Sequence, residues 1–306
     1  MFYTILLQLT RDCNLQCRHC YDSCGPHRET MSSASLEAVL DNLPFLTDGI
    51  VLSGGEVFTK KAILRHALSL IRGQKWRRFP LASVDVQTNG FWARDADSAY
   101  QAMKEMLELG VEDIVIGSID GFHGEQGLDI EKLRMRKGTP FDQAVQRLAA
   151  ETGSACEYRQ HNPARLETIL VRKAWPIDRT VISFLHVSND GPVTPFGRAR
   201  DLPEECLEKD SECRLLGNKY NTEITIAPNG LAYPCCWKVT PALGSAVETP
   251  VPRLIENAGK RRVLAHLLND GPRGAAKAMG IYRKDDEFIY RINPCVKCEE
   301  IFRGIR

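Results

Sequence analysis

The sequence predicts an α/β fold: a partial (β/α)6-type TIM barrel over residues 1–200, abbreviated toward its end, then a small α+β domain over residues 201–306. Three observations predict it. Apolar, β-rich runs alternate with helical periodicity, the pattern of parallel strands joined by crossover helices. Polar residues and glycines follow several of those strands, where open α/β folds bind ligands. Near Asp201 the alternation stops, and a glycine-turn hairpin and late cysteines replace it.

The strands expected in order are residues 3–9, 49–53, 83–88, 113–119, 166–172 and 181–187. Helices fit between them. Residues 35–43 place Leu36, Val39, Leu40 and Leu43 on one helix face. Residues 61–72, 96–109 and 141–151 read the same way. Only residues 173–180 separate the fifth strand from the sixth, too few for a parallel crossover helix. Either the barrel is abbreviated there or the fifth strand is misplaced. Farther on, residues 223–227, the turn Pro228-Asn229-Gly230 and residues 231–233 read as a β-hairpin. Helical stretches follow at 252–268 and 272–279.

Composition limits the function classes. The chain has 306 residues, 43% of them apolar and 26% charged, with a net charge of +1. It can bury a full core, and its length is enough for more than one domain. Balanced charge offers nothing to nucleic acid or to a membrane. The apolar N-terminal stretch is short and interrupted by Gln8 and Arg11, unlike a secretory signal or a spanning helix. A cytoplasmic enzyme is expected. Its 11 cysteines, an odd number in a chain of this size, point to metal ligands and free thiols rather than disulfides.

Cys13, Cys17 and Cys20, spaced C-x-x-x-C-x-x-C straight after the first strand, carry the chemistry. Four cysteines cap every iron of a four-iron cluster, whereas three leave one iron open to a small molecule. A zinc knuckle or a redox-sensing thiol group is the alternative, although zinc sites usually pair their ligands and close with four. The string C-N-L-Q-C-R-H-C-Y and, one strand-helix-strand unit later, Ser53-Gly54-Gly55-Glu56 together resemble the signature of the radical S-adenosylmethionine (SAM) superfamily. The resemblance implies a [4Fe-4S] cluster on the three cysteines and SAM as cosubstrate. It implies that Gly54, Gly55 and Glu56 meet the methionine ammonium, with backbone approach from the glycines and a carboxylate acceptor from the glutamate. It also makes Asn89, Ser118 and Asp120, at strand ends, candidates for the rest of SAM. Asn-Gly and Asp-Gly are common turn pairs as well. His123 reads as a loop histidine that could face substrate.

The segment Pro195-Phe196-Gly197-Arg198-Ala199 looks like the linker that ends the radical core in members with a SPASM or Twitch extension. The order cysteine, hairpin, cysteine and late C-x-x-C resembles the Twitch domain, which implies a second [4Fe-4S] cluster on Cys213, Cys235, Cys295 and Cys298. Cys206 could replace Cys213 and Cys236 could replace Cys235, and four thiolates would equally suit zinc. Three reactions follow from the resemblance: two-electron oxidation of a small-molecule alcohol such as a sugar or aminocyclitol, epimerisation with a cysteine hydrogen donor, or modification of a ribosomally made peptide. The thiols outside the ligand sets are Cys24, Cys156, Cys206 and Cys236, with Cys236 and Cys206 the donor candidates. Entry into the first strand by Tyr3 favours a small molecule over a leader peptide. An external reductant such as flavodoxin or ferredoxin is implied. Arg172 is expected at the barrel mouth but is a poor base, and no better proton acceptor is legible. A non-enzymatic iron-sulfur or zinc regulator would need the cysteines but not Gly54-Gly55-Glu56.

Overall fold

The computed structural model describes residues 2–117, 120–134, 137–162, 166–173, 179–187, 196–203, 221–287 and 294–303. The first strand, β1 (Phe2–Thr10), is buried from Ile5 onward on both faces, as a central strand of a parallel sheet must be. Helix α1 (Ser33–Asp41) starts where the Ser32 side chain accepts the Ser35 N–H and buries Leu36, Val39 and Leu40, as the periodicity requires. There follow β2 (Thr47–Gly54), α2 (Lys61–Arg78), β3 (Ser83–Thr88), α3 (Ala96–Glu108) and β4 (Asp113–Ile116). Two single turns, α4 (Gly121–Gly124) and α5 (Ile130–Leu133), then lead into α6 (Pro140–Thr152). The last begins with a Thr139 cap and proline in its first turn and ends at Gly153 in the left-handed region.

Three further strands, β5 (Ala155–Asn162), β6 (Leu166–Lys173) and β7 (Arg179–Val187), form an antiparallel meander whose last member joins β4 in parallel. The fifth expected strand is therefore present with the opposite direction. Its short link to β7 permits only an antiparallel neighbour. β5, whose sequence A-C-E-Y-R-Q-H-N lacks an apolar run, is an addition to the expected strands. Register places Arg172 opposite Thr180, at the start of β7. That is the end away from the barrel mouth, which corrects its expected position.

The C-terminal part adds β8 (Asn221–Ile226), β9 (Leu231–Tyr233) and β10 (Gly244–Ser245), then α7 (Val251–Gly259), α8 (Arg262–Met279) and α9 (Pro294–Arg303). The helix expected at 252–268 is divided between α7 and α8, and α8 breaks at Gly271, before Pro272. All strands among the described residues lie in one sheet of order β10-β9-β8-β1-β2-β3-β4-β7-β6-β5. The parallel set is β8, β1, β2, β3, β4 and β7. The fold is α/β, a partial barrel that stays open, and one of its parallel strands comes from the far end of the chain. β8 runs beside β1 from Phe2↔Asn221 to Leu7↔Ile226. Phe79, Phe141 and Phe184 are fully buried in a core that also takes in Ile224, Leu254, Cys295 and Phe302.

Asn42, just past α1, locks the two parts together. Its amide donates to the carbonyls of Ala246 at 2.9 Å and Val247 at 3.1 Å, and its own carbonyl accepts the Val251 N–H at 2.9 Å. Asn42→Ala leaves two carbonyls without this donor, an expected cost of about 1–3 kcal/mol. Calorimetry should show a lowered Tm and one cooperative transition, because sheet and core are shared. Two separate transitions would show that the C-terminal part folds on its own.

Candidate functional site

The loop after β1 holds Cys13, Cys17 and Cys20. It folds back against the strand end: Arg11 N–H donates to the Glu29 carbonyl, Cys13 N–H to Gly25 and Gly25 N–H to Arg11. Asp12 ties it to the start of α2, with one oxygen taking the His27 N–H at 2.8 Å and Lys60 Nζ at 3.3 Å. Cys13, Leu15, Cys17 and Cys24 make a small buried group of their own, with Cys20 packed against it. Burial pushes the Cys13 and Cys17 thiols up to about 12. Cys20 is held below the ordinary thiol value by hydrogen bonding from Cys24, whose N–H lies 3.3 Å from the Cys20 sulfur.

Glycines on two sides let this loop sit where it does. A Cβ on Gly54 would lie 2.3 Å from the Thr10 carbonyl oxygen, and one on Gly55 would lie 2.4 Å from that of Asp12. Both contacts are far inside van der Waals distance. On the other side Gly197, at φ +55°, would put a Cβ 2.2 Å from the Tyr21 carbonyl oxygen. Next to it Arg198 donates through Nε to the Cys17 carbonyl at 2.9 Å and through its N–H to the Cys20 carbonyl at 3.0 Å. The C-terminal part also grips the loop. Lys238 Nζ bonds Gln8 Oε1 at 2.7 Å and Asp22 Oδ1 at 2.5 Å, and Trp237 meets Tyr21 edge-on at 4.7 Å.

Glu56 and Asn89 are brought together beside Cys13. The Glu56 carboxylate is fully buried and faces inward. It accepts from Phe58 N–H at 2.9 Å, from Thr88 Oγ1 at 2.9 Å and from Asn89 N–H at 2.6 Å. Protein donors thus occupy the carboxylate that was expected to meet an ammonium, and what this segment presents to the loop is glycine backbone. Asn89 is buried, and its amide donates to Asn14 Oδ1 at 3.0 Å and approaches Cys13 Sγ at 3.9 Å.

Asp120 is completely buried and caps α4, accepting the His123 N–H at 3.0 Å and pairing with His123 Nδ1 at 2.8 Å. Burial opposes its ionisation, but these bonds and the nearby imidazoles hold its carboxyl below the ordinary value. The turn role and the place beside the cluster loop therefore coincide. His19, between Cys17 and Cys20, stacks on Phe122 at 4.8 Å, and burial lowers its pKa to about 4. Arg18 pairs with Glu125 at 2.8 Å, so the loop is docked on the turn after β4. Ser118 lies outside the described residues.

The later cysteines are partly placed. Cys295 and Cys298 are buried at the start of α9, three residues apart and so on one helix face. Cys235, half-buried, packs against the same core. Cys236 is half-buried and close enough to raise the Tyr21 pKa, for which burial is the larger cause. Cys206 and Cys213 lie outside the described residues. Arg198, Lys238, Asp12 and His19 were missed by sequence reasoning. Of these, only His19, inside the cysteine motif, and Arg198, inside the linker string, carried any local signal.

The donor set at the first loop fits a [4Fe-4S] cluster held by three thiolates. Two of the thiols need a positive centre to ionise. Arg198 Nη2 and His19 Nδ1, both against this loop, are buried with no hydrogen-bond partner. Glu56 supplies a pH test. Burial raises its pKa to about 7, against the opposing hydrogen bonds from Asn89, Phe58 and Thr88. A raised native pKa adds stability that is complete below the unfolded value and lost as pH rises through the native one. Glu56→Gln sets an amide against the Asn89 N–H, so it should lower Tm, by about 1–3 kcal/mol in stability. The wild type's advantage should narrow between pH 5 and pH 8, read as Tm against pH for the two proteins.

Residues 7–152 match the family model described as the radical SAM superfamily. No curated protein matches the chain in sequence. Among solved structures, BtrN in complex with AdoMet and 2-DOIA is similar at 14% identity over 90% of this chain and 89% of that one, with a TM-score of 0.49. Histidine-tagged anSMEcpe with bound AdoMet is similar at 12% identity over 99% and 93%, also with a TM-score of 0.49. SuiB of Streptococcus suis bound to S-adenosylmethionine gives 12% identity over 82% and 64% and a TM-score of 0.36. At these scores the structural likenesses carry no weight for function. The family match covers the cysteine loop, the Gly54-Gly55 contact and the rim formed by β1 to β4, and it is this segment, residues 7–152, that matches the radical SAM superfamily.

Proposed function

We propose that the chain uses SAM and a [4Fe-4S] cluster on Cys13, Cys17 and Cys20 to oxidise a small-molecule alcohol, such as a sugar or aminocyclitol, by two electrons. A second [4Fe-4S] cluster on Cys235, Cys295, Cys298 and Cys213 belongs to the same reading. The observation that carries the first part is the buried three-thiol loop, gripped by Gly54-Gly55, Asn89 and Arg198. When bound, a cluster on Cys13, Cys17 and Cys20 would supply SAM with one electron received from an external reductant, for its cleavage and for hydrogen removal from the substrate, and a cluster on the later cysteines would supply an acceptor for the second electron.

The chain's own residues prepare the site. Cys13 and Cys17 are buried, which keeps water from the metal position. Arg198 sets the loop backbone at both Cys17 and Cys20, fixing two ligands relative to each other. Asn89 offers its amide beside Cys13, at the end of β3, where ligands of open α/β folds bind. For the second part, the support is position. Cys235 stands two residues before Trp237 and three before Lys238, the pair that touches the first loop, and Cys295 and Cys298 are buried in the core that Cys235 packs against.

Epimerisation is the competing reading, favoured by the half-buried thiol of Cys236 near Tyr21, and peptide modification is a third. Anaerobic reconstitution should give about eight irons per chain, falling to about four when Cys13, Cys17 and Cys20 are all changed to alanine. About four in the wild type would remove the second cluster. Loss of 5′-deoxyadenosine formation should accompany the triple change. Product made in deuterated water should be two hydrogens lighter than substrate, with no deuterium fixed at carbon. One carbon-bound deuterium without loss of two hydrogens would sink the oxidation in favour of epimerisation.

A further inference from the structure

Cys17, His19 and His123 offer ligand atoms that all lie within 4.8 Å of one another. They come from two segments, the cluster loop and the turn after β4. The second histidine is already oriented for metal: its Nδ1 is 2.8 Å from Asp120 Oδ1, so Nε2 is the nitrogen left to coordinate. A carboxylate behind a ligating imidazole fixes the tautomer and raises its basicity. Asp120 is completely buried, and its other oxygen, 4.0 Å from His19 Nε2, has no hydrogen-bond partner. His19 Nδ1 is likewise buried and unpartnered. The two imidazole rings meet edge to face at 4.7 Å.

We infer that the chain, before it receives its first cluster, binds one zinc-like divalent ion on Cys17 Sγ and one ring nitrogen each of His19 and His123, with Asp120 orienting His123. One sulfur and two imidazoles suit zinc, which with three protein ligands keeps a fourth position for water. On binding, the Cys17 thiol gives its proton to solvent, and its thiolate with the Asp120 carboxylate balances the two positive charges. No oxidation or reduction is involved. Cys17 cannot ligate zinc and an iron cluster together, so the ion closes the loop onto the β4 turn and holds off cluster assembly until it is removed. The ion site stands apart from the SAM reading, and only this exclusion rests on it.

Full-length protein prepared anaerobically without iron is titrated with Co2+, and Zn2+ is then added in competition. One equivalent beyond any taken up by the later cysteines, which a Cys295→Ala, Cys298→Ala background removes, should show thiolate-to-cobalt absorption. His19→Ala and His123→Ala should each lose that equivalent or bind it about tenfold or more weakly. Cys13→Ala and Cys20→Ala should keep it, and His123→Cys should recover it. Histidine variants that bind every equivalent as tightly as wild type overturn the inference. So does loss of the equivalent in Cys13→Ala or Cys20→Ala, or a loss in His123→Ala that His123→Cys does not recover. Zinc loaded first should slow reconstitution of the first cluster in wild type and not in His123→Ala. Metal binding as described, in a chain that never assembles the first cluster, would uphold the site and sink the SAM reading.

Discussion

The close passage of the cysteine loop between two glycine contacts is the constraint on which the rest depends. Carbonyls of Thr10 and Asp12 rest on Gly54 and Gly55, and those of Cys20 and Tyr21 rest on Gly197. Close-packed interiors give way little, so a side chain at these positions would have to move the loop. Moving it would separate the three thiols from one another and from the strand ends. The glycine pair therefore serves the cluster loop's backbone directly.

Around that contact the structure concentrates its buried polar groups. Glu56 joins the end of β2 to the end of β3, and Thr88 passes the connection on, taking the Gly90 N–H and the Trp92 indole N–H at 3.0 Å each. Such a network is costly if half made and rigid when complete. Here both oxygens of Glu56 have donors, and the strand ends hold the loop without needing to rearrange. A site that must hold its ligands in one geometry gains from that rigidity.

The C-terminal part belongs to the same mechanical unit. β8 lengthens the parallel sheet beside β1, and Lys238, at φ +53°, accepts a strained backbone to reach Gln8 and Asp22. Strain of this kind persists where surrounding contacts over-determine it. The grip means that the segment carrying Cys235, Trp237 and Lys238 is kept in register with the first loop by direct contacts.

By itself the sequence determined the thiol triplet, the glycine pair that follows it and the helix faces, because ligand spacing and 3.6-residue periodicity are properties of neighbours in the chain. Leu36, Val39 and Leu40 are buried where the pattern puts them. The direction of β6 was legible only as a conflict, because the short link to β7 is too brief for a parallel crossover, and its antiparallel pairing with β5 and β7 settles it. The inward turn of Glu56 was not legible, because it depends on Thr88 and Asn89, 32 and 33 residues away. Arg198 reaches Cys17 across 181 residues, and Lys238 reaches Gln8 across 230. Which chemistry the chain carries is written locally, because a thiolate ligand needs only its residue type and spacing. How that chemistry is held, desolvated and oriented was decided by tertiary structure, because burial and hydrogen-bond partners are supplied by groups far away in the chain.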